Sequence, residues 1–479
     1  MAYSWNPVDD TSTTPGLLDV RQYRLREIGR QSDGTFDAAV WDPLVERLRT
    51  TPEGQRAIIV RADSLDVIPH AHPDDVPMYW DTGVAELAAL LGDVADELLA
   101  RGVTVDRVFH DFEWNFPDIR DTEETDQQSL RDTIVADPRY ETEITPVFDR
   151  LTRALDGSAF PLTASLDEVA REHWTVVTYQ FKRALLERKA AYYRTALYEP
   201  FATRFPGVQV SNYAFWDRGD LAMVPDLNGH TIHQVGVSGS NLHAGNRAAL
   251  ELYGRISPSN FTAFHNNPDP DTYPTTFESS RANAVRLAVR AAQSAAASAQ
   301  PIDLWFSTKE WPGDTFAPTP LACDALWEDA GADCHDHWEE SVYHSALLTD
   351  AALVLWSKAE KAPDSDARVQ GVLDALNRLT SCDDRTPLGA LNDGWSTHLL
   401  ASGMRVEGWR IWRVGALLES PPPADWVTTS DSGVEVSLEG ERIQFPDASL
   451  WPEQHGDQGV WVVQSVDAAL PTWTASEAP

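Results

Sequence analysis

Cysteine is nearly absent: Cys323, Cys334 and Cys382 are the three in 479 residues. They are too few and too irregularly spaced for a zinc site or a disulfide scaffold. Plain thiols, or one Cys323–Cys334 bridge closing a short loop, are the readings left. No run of roughly 18 uninterrupted apolar residues occurs, which excludes a membrane-spanning helix on length grounds. The opening MAYSWNPVDD has neither a charged n-region nor an apolar h-region, so no export signal is expected there, and localisation stays open. There is no glycine-rich phosphate loop, nucleophile elbow or dinucleotide fingerprint, and no cofactor is expected. Lysine is the scarcest charge: five of the 38 basic residues are lysines, against 74 acidic ones.

The resulting formal charge of −36 repels phosphate backbones and anionic membranes, so neither nucleic acid nor a membrane is an expected partner. An acid-rich, lysine-poor surface holds water in concentrated salt, which points to a saline habitat. Hydrophobic residues at 42% allow a sizeable core, and the length suits one large domain with an appendage.

Strand-like apolar segments alternate with helical stretches, the signature of a parallel sheet with crossover helices. Eight are expected, at 17–23, 57–63, 107–114, 208–216, 261–267, 302–311, 352–358 and 408–414. GVAELAALLGDVADELLARG and RANAVRLAVRAAQSAAASAQ read as helices from their three- and four-residue apolar spacing. The fold class is therefore α/β: a (β/α)8 TIM-like barrel over residues 1–419. A long helical insertion follows strand three, ending in YQFKRALLERKAAYYRTALYEPFATRF. After the stiff run SPPPAD, residues 420–479 read as a linker and a small β-rich appendage.

In a barrel the reactive groups sit at the C-terminal ends of the strands. Those positions hold Arg61 and Asp63; His110, Asp111, Glu113 and Trp114; Asn212, Tyr213, Trp216 and Asp217; His265 and Asn266; Lys309, Glu310 and Trp311; and Trp356. The sharpest signal is Asp111-Phe112-Glu113. Side chains two apart on a strand share a face, and two carboxyls so close cannot both ionise cheaply. One keeps a proton and can serve as general acid, while the other remains an acceptor. Trp114, Trp216 and Trp356 offer flat faces for sugar rings.

The stretch VFHDFEWNFPDI resembles the catalytic segment of the hyaluronidase family of glycoside hydrolases, in which an aspartate and a glutamate separated by one aromatic end a barrel strand. FPGVQVSNYAFWD, ELYGRISPSNFTAF and HWEESVYHSALLTDAALVLWSK are similar to later segments of that family, in the same order. The resemblance covers roughly residues 105–358. It implies a retaining, substrate-assisted reaction in which the sugar's 2-acetamido group attacks the anomeric carbon. Glu113 would be the general acid and base, Asp111 would orient the acetamido group, Tyr213 would contact it, and Trp356 would line the subsite. Asn115-Phe116-Pro117 stands where that family carries Arg-Pro.

Three readings follow. The first is a glycoside hydrolase acting on a polysaccharide or oligosaccharide through Asp111 and Glu113, with Asn212, Tyr213, Trp114, Trp216, Asp217, His265, Glu310 and Trp356 as substrate-binding candidates. Glu310 also offers a second carboxylate, whose separation from Glu113 would define a retaining or inverting pair. The second is a metal-dependent hydrolase, suggested by His70-Ala71-His72 with His110, His230, His233, His243 and His265; these histidines also read as loop residues that bond solvent or substrate, and no metal is expected. The third is a barrel that binds carbohydrate without cleaving it.

Overall fold

The computed structural model describes residues 2–6, 18–61, 84–111, 136, 138–144, 146, 192–212, 252–255, 259–260, 285, 289, 303–307, 334–348, 352–356, 371–372, 374–375, 385–392, 398–418, 421–451 and 458–475. The chain is α/β. In order come β1 (Ala2–Asn6), β2 (Leu18–Arg24), α1 (Leu25–Ile28), α2 (Ala38–Thr50), β3 (Ala57–Arg61), α3 (Val84–Ala100), β4 (Arg107–Asp111), a π-helical turn (Tyr140–Ile144), α4 (Glu199–Ala202), β5 (Gln209–Asn212), β6 (Ser259–Asn260), β7 (Asp303–Ser307), α5 (Cys334–Leu348) and β8 (Ala352–Trp356). A strand-rich end follows: β9 (Arg385–Ala390), β10 (Leu399–Val406), β11 (Trp409–Ala416), β12 (Val427–Ser430), β13 (Gly433–Leu438), β14 (Glu441–Pro446), β15 (Ala448–Leu450), β16 (Gly459–Ser465) and β17 (Thr472–Ala475). Contacts divide the chain into two compact units, Val20–Pro258 and Met1–Asp19 with Ser259–Pro479.

In the unit Val20–Pro258, β2 to β5 form a parallel sheet in the order β5-β4-β3-β2. Ala57, Ile58, Ile59 and Val60 of β3 are all buried, as a strand covered on both faces of a parallel sheet requires. Asp37 caps α2 by accepting from the Ala39 N–H at 2.9 Å. Trp41, Leu44, Val45 and Leu48 then form its buried stripe. The helix expected at 83–102 is α3, with Leu87, Leu91, Val94, Ala95 and Leu98 inward. It closes on Gly102 at φ 71, where the Gly102 N–H meets the Leu99 carbonyl at 2.9 Å and the Val103 N–H meets Leu98 at 3.1 Å. This paired closure needs the left-handed conformation that glycine adopts without penalty. Arg204 grips Asp96 of α3 through Nε at 2.6 Å and Nη2 at 2.7 Å.

Helices lead into the N-terminal ends of these strands. The connections between them are short: 51–56 into β3, 101–106 into β4 and 203–208 into β5. They are tied down as well, for the Arg56 N–H donates to Asp106 Oδ2 at 2.9 Å and the Arg56 guanidinium to Thr104 Oγ1 at 2.8 Å. Beyond the C-terminal ends of β3 and β4, residues 62–83 and 112–135 lie outside the described residues.

The other unit carries parallel strands in the order β1-β8-β7-β6. Here the structure corrects the sequence reading twice. Ala2–Asn6 is a strand, in register with Leu353–Trp356 of β8, although AYSWN is too short to show a pattern. The segment 408–414, expected as the eighth barrel strand, lies instead in β11 of an antiparallel five-stranded sheet, β15-β16-β11-β10-β9. Its partner is decided by the turn. Glu407 and Gly408 both take positive φ, at 47 and 91, and such a two-residue turn folds β10 directly back into β11. The insertion expected between the strands at 107–114 and 208–216 lies mostly outside the described residues. Of the helix expected over 281–300, Val285 and Val289 are described; both are helical and buried against Leu348, Leu400 and Leu417.

A four-stranded sheet, β12-β13-β14-β17, faces the five-stranded one. Trp412, Val414 and Ala416 meet Val434, Val436, Ile443 and Phe445 in the core between them. The two facing sheets run from β9 to β17.

On the opposite face of β11, Arg413 is fully buried and paired with Glu340 of α5, with Nε donating to Oε2 at 3.0 Å and Nη2 to Oε1. Its guanidinium lies 4.8 Å from the Tyr343 ring centre and 5.2 Å from that of Trp461. His344 Nδ1 is 2.9 Å from Ser402 Oγ, and its Nε2 is 3.3 Å from Glu340 Oε2. Burial pushes the Glu340 carboxyl up, but the Arg413 charge and the bonds from His344 and Arg413 outweigh it and hold the group at about 2. Gly415 and Gly459 leave the room: a Cβ on Gly415 would sit 2.7 Å from His344 Nε2, and one on Gly459 2.5 Å from Glu340 Oε1.

Candidate functional site

Strand β4, RVFHD, ends on Asp111, the first residue of the candidate pair. Its register with β3 sets Val108 beside Ile58, Phe109 beside Ile59, His110 beside Val60 and Asp111 beside Arg61. The register with β5 sets His110 beside Asn212. Adjacent residues on a strand face opposite ways, so these partners form rows on alternating faces of the sheet.

His110 identifies one face. It is fully buried, its Nδ1 is 3.2 Å from the Tyr253 hydroxyl, and its ring lies 5.8 Å from that of Tyr253 and 6.1 Å from that of Phe201 in α4. That face is the one covered by helical residues. Burial lowers the imidazole to about 3, so it is neutral at ordinary pH, and burial also pushes the Tyr253 phenol well above its usual range. Two groups expected at strand ends thus have core positions. His110 fills the sheet–helix layer, and Asn212, also buried, shares its row. The row of Asp111 is one residue out of step and holds Arg61, which is half-buried, and Arg24 of β2.

Of the other residues expected at the site, Trp356 ends β8, in register with Trp5 of β1 and Ser307 of β7. Glu113, Trp114, Tyr213, Trp216, Asp217, His265 and Glu310 lie outside the described residues, as do Asp63, Asn266, Lys309, Trp311 and the loop histidines 70, 72, 230, 233 and 243. Among the described residues, no three His, Cys, Asp or Glu side chains converge as metal ligands would, and no helix is long and apolar enough to cross a membrane.

What sequence reasoning missed is Tyr253. It sits in ELYGRIS, marked for its resemblance to a family segment, and its hydroxyl meets a histidine 143 residues earlier. No local pattern announces such a contact. Arg61 was visible as a strand end, but its register with Asp111 was not.

Comparison with protein-family models and with curated sequences gives no match. Among solved structures, the chain is similar to a β-galactosidase from the Antarctic haloarchaeon Halorubrum lacusprofundi, at 15% identity and a TM-score of 0.45, over 78% of this chain and 56% of that one. A GH42 β-galactosidase from G. stearothermophilus is similar at 9% identity and a TM-score of 0.41, over 75% of this chain and 51% of that one. The match thus spans about half the length of these two proteins. An endo-β-1,4-mannanase from Cellulomonas fimi matches over 98% of this chain and 92% of its own, at 9% identity and a TM-score of 0.37. At these identities and TM-scores each is a distant likeness of fold, and the reading of the site rests on this chain's own residues.

Proposed function

We propose that the chain is a glycoside hydrolase of the (β/α)8-barrel kind, acting on a polysaccharide or oligosaccharide with Glu113 as general acid and base and Asp111 as its ionised partner. The observation that carries the reading is the place of Asp111. It is the last described residue of a buried parallel strand, at the C-terminal end of the sheet, while the N-terminal end is laced by short connections. In parallel α/β folds chemistry gathers at the first kind of end and stability at the second. If β4 continues by two residues, Glu113 joins the row of Asp111, opposite the face that His110 fills.

Such a pair divides the work. The protonated carboxyl gives its proton to the glycosidic oxygen as the bond to the anomeric carbon breaks. The same group then takes a proton from the incoming water, while the carboxylate beside it stabilises the positive charge of the transition state. Where the sugar carries a 2-acetamido group, Asp111 would orient that group for attack and Tyr213 would contact it; this course rests on the sequence resemblance of HDFEWN. Trp114, Trp216 and Trp356 serve as stacking faces, and Asp217, Glu310 and His265 as polar contacts. No metal or cofactor has a part in these steps. The test is release of reducing ends from a panel of neutral and charged polysaccharides by the wild type, with Glu113→Gln as the control that must lose it.

A further inference from the structure

We propose that one end of the β-sandwich carries a carbohydrate-binding site, a rigid stacking platform built on Trp409 that takes a neutral, hydroxyl-rich glycan. It uses no residue of the proposed catalytic pair and does not depend on the acid assigned to Glu113.

Register assembles the platform. β10 ends on Val406 and β11 begins on Trp409, its partner, with Ser465 at the end of β16 on the other side. Trp412 packs in the core between the two sheets, and three positions away alternation turns Trp409 to the opposite face. The indole is therefore outside the sandwich core, and it is 53% exposed. Leu470, 62% exposed, follows the same end of β16, and Trp473, 36% exposed, is the second residue of β17. Among the described residues five large hydrophobics are exposed, and these three gather toward one end of the sandwich. Apolar residues exposed singly are ordinary, whereas a group that includes two indoles marks a binding surface.

The loop between β16 and Leu470 is pinned. Arg410 donates through Nη2 to the Val466 carbonyl at 2.7 Å and through Nη1 to the Ala468 carbonyl at 2.9 Å. Gln464 Nε2 donates to the Ala469 and Pro446 carbonyls, both at 2.7 Å, and the Val466 N–H meets the Gly408 carbonyl at 3.1 Å. A surface fixed in this way has little freedom left to lose when a ligand lands on it.

The class of ligand follows from what this end offers. An indole presents a flat apolar face to the C–H face of a sugar ring. Exposed carboxylates stand on the segments so joined, Glu407 in the β10–β11 turn, Asp447 beside Pro446 and Asp467 in the pinned loop, and they accept hydrogen bonds from hydroxyl groups. A net charge of −36 repels an anionic polymer. A basic peptide would be drawn to carboxylates all over so acidic a chain, whereas the aromatic faces are local to this end.

The test is binding of the full chain to beads carrying a glucan, a galactan, a mannan or polylysine, in 1 M salt, where the overall charge is screened. The wild type is expected to be retained on at least one of the glycans. Trp409→Ala should bind it about 5–10-fold more weakly at an unchanged unfolding midpoint, and Trp409→Phe, which keeps a flat face, should recover part of the loss. Leu99→Ala, which removes an exposed apolar residue of α3, should match the wild type. A wild type retained on none of the glycans, or a Trp409→Ala protein retained as well as the wild type, would overturn the proposal. A loss confined to the polylysine beads would identify a basic partner and overturn it as well. Glu113→Gln separates this site from the catalytic reading: it should lose reducing-end release and keep bead binding, so a wild type that binds through Trp409 and cleaves nothing overturns the enzyme and leaves the platform standing.

Discussion

His110 and Asp111 are neighbours in sequence with opposite fates. His110 faces Phe201 and Tyr253 in a buried layer and is held neutral by burial, at about 3. Its value in an unfolded chain is about 6.5. The unfolded state therefore binds more protons between these limits, and the stability tied to neutral His110 is present above about 6.5 and lost as the pH falls toward 3. His110→Phe removes this loss. The gap between unfolding midpoints at pH 7 and pH 4 should be smaller in the variant than in the wild type, and thermal scans at the two pH values check it. Equal gaps would mean that His110 titrates in the folded protein without penalty. The sequence sets Asp111 and Glu113 two residues apart, the spacing on which the proposed pair rests. The same period sets His110 on the opposite face, but its partner Tyr253 was not legible, because a contact across 143 residues leaves no local trace.

Among the elements, the parallel strands were readable because near-continuous apolar runs such as AIIV end in polar groups. Expected and observed starts agree within one residue for β2, β3, β4, β5, β7 and β8. β1 was missed and β11 misassigned for one physical reason: strand identity lies in the residues, whereas strand partnership lies in the turns and in distant registers. The Glu407-Gly408 turn makes β11 a hairpin arm, and Glu439-Gly440 does the same between β13 and β14 with φ 47 and 80. The joint between α5 and β11 is equally non-local. Arg413 and Glu340 lie 73 residues apart and are both fully buried, so removing one partner strands a charge. Arg413→Met alone is expected to cost about 3–5 kcal/mol, and adding Glu340→Leu should return most of that loss. Denaturant unfolding of the three proteins reads this directly; a double variant as weak as the single one would contradict it. Below about pH 4.3 the same joint contributes progressively less in the wild type. Glu340 ionises at about 2 when folded and near 4.3 when unfolded, so its contribution is present above about 4.3 and falls away toward pH 2.

At the scale of the molecule, the charge of −36 is the largest fact in the composition. Self-repulsion of that size opposes compaction, and salt screens it within about 3 Å at 1 M. The unfolding midpoint is expected to rise from dilute buffer to molar salt, and a midpoint indifferent to salt would count against a saline habitat. The same field makes neutral glycans better candidates than anionic ones. The account as a whole stands on the acid assigned to Glu113. The most direct measurement is kcat of wild type and Glu113→Gln on the polysaccharide that the wild type cleaves. The account predicts a loss of about 100-fold or more, the usual contribution of a general acid, with an unchanged unfolding midpoint; a Glu113→Gln protein as fast as the wild type would contradict it.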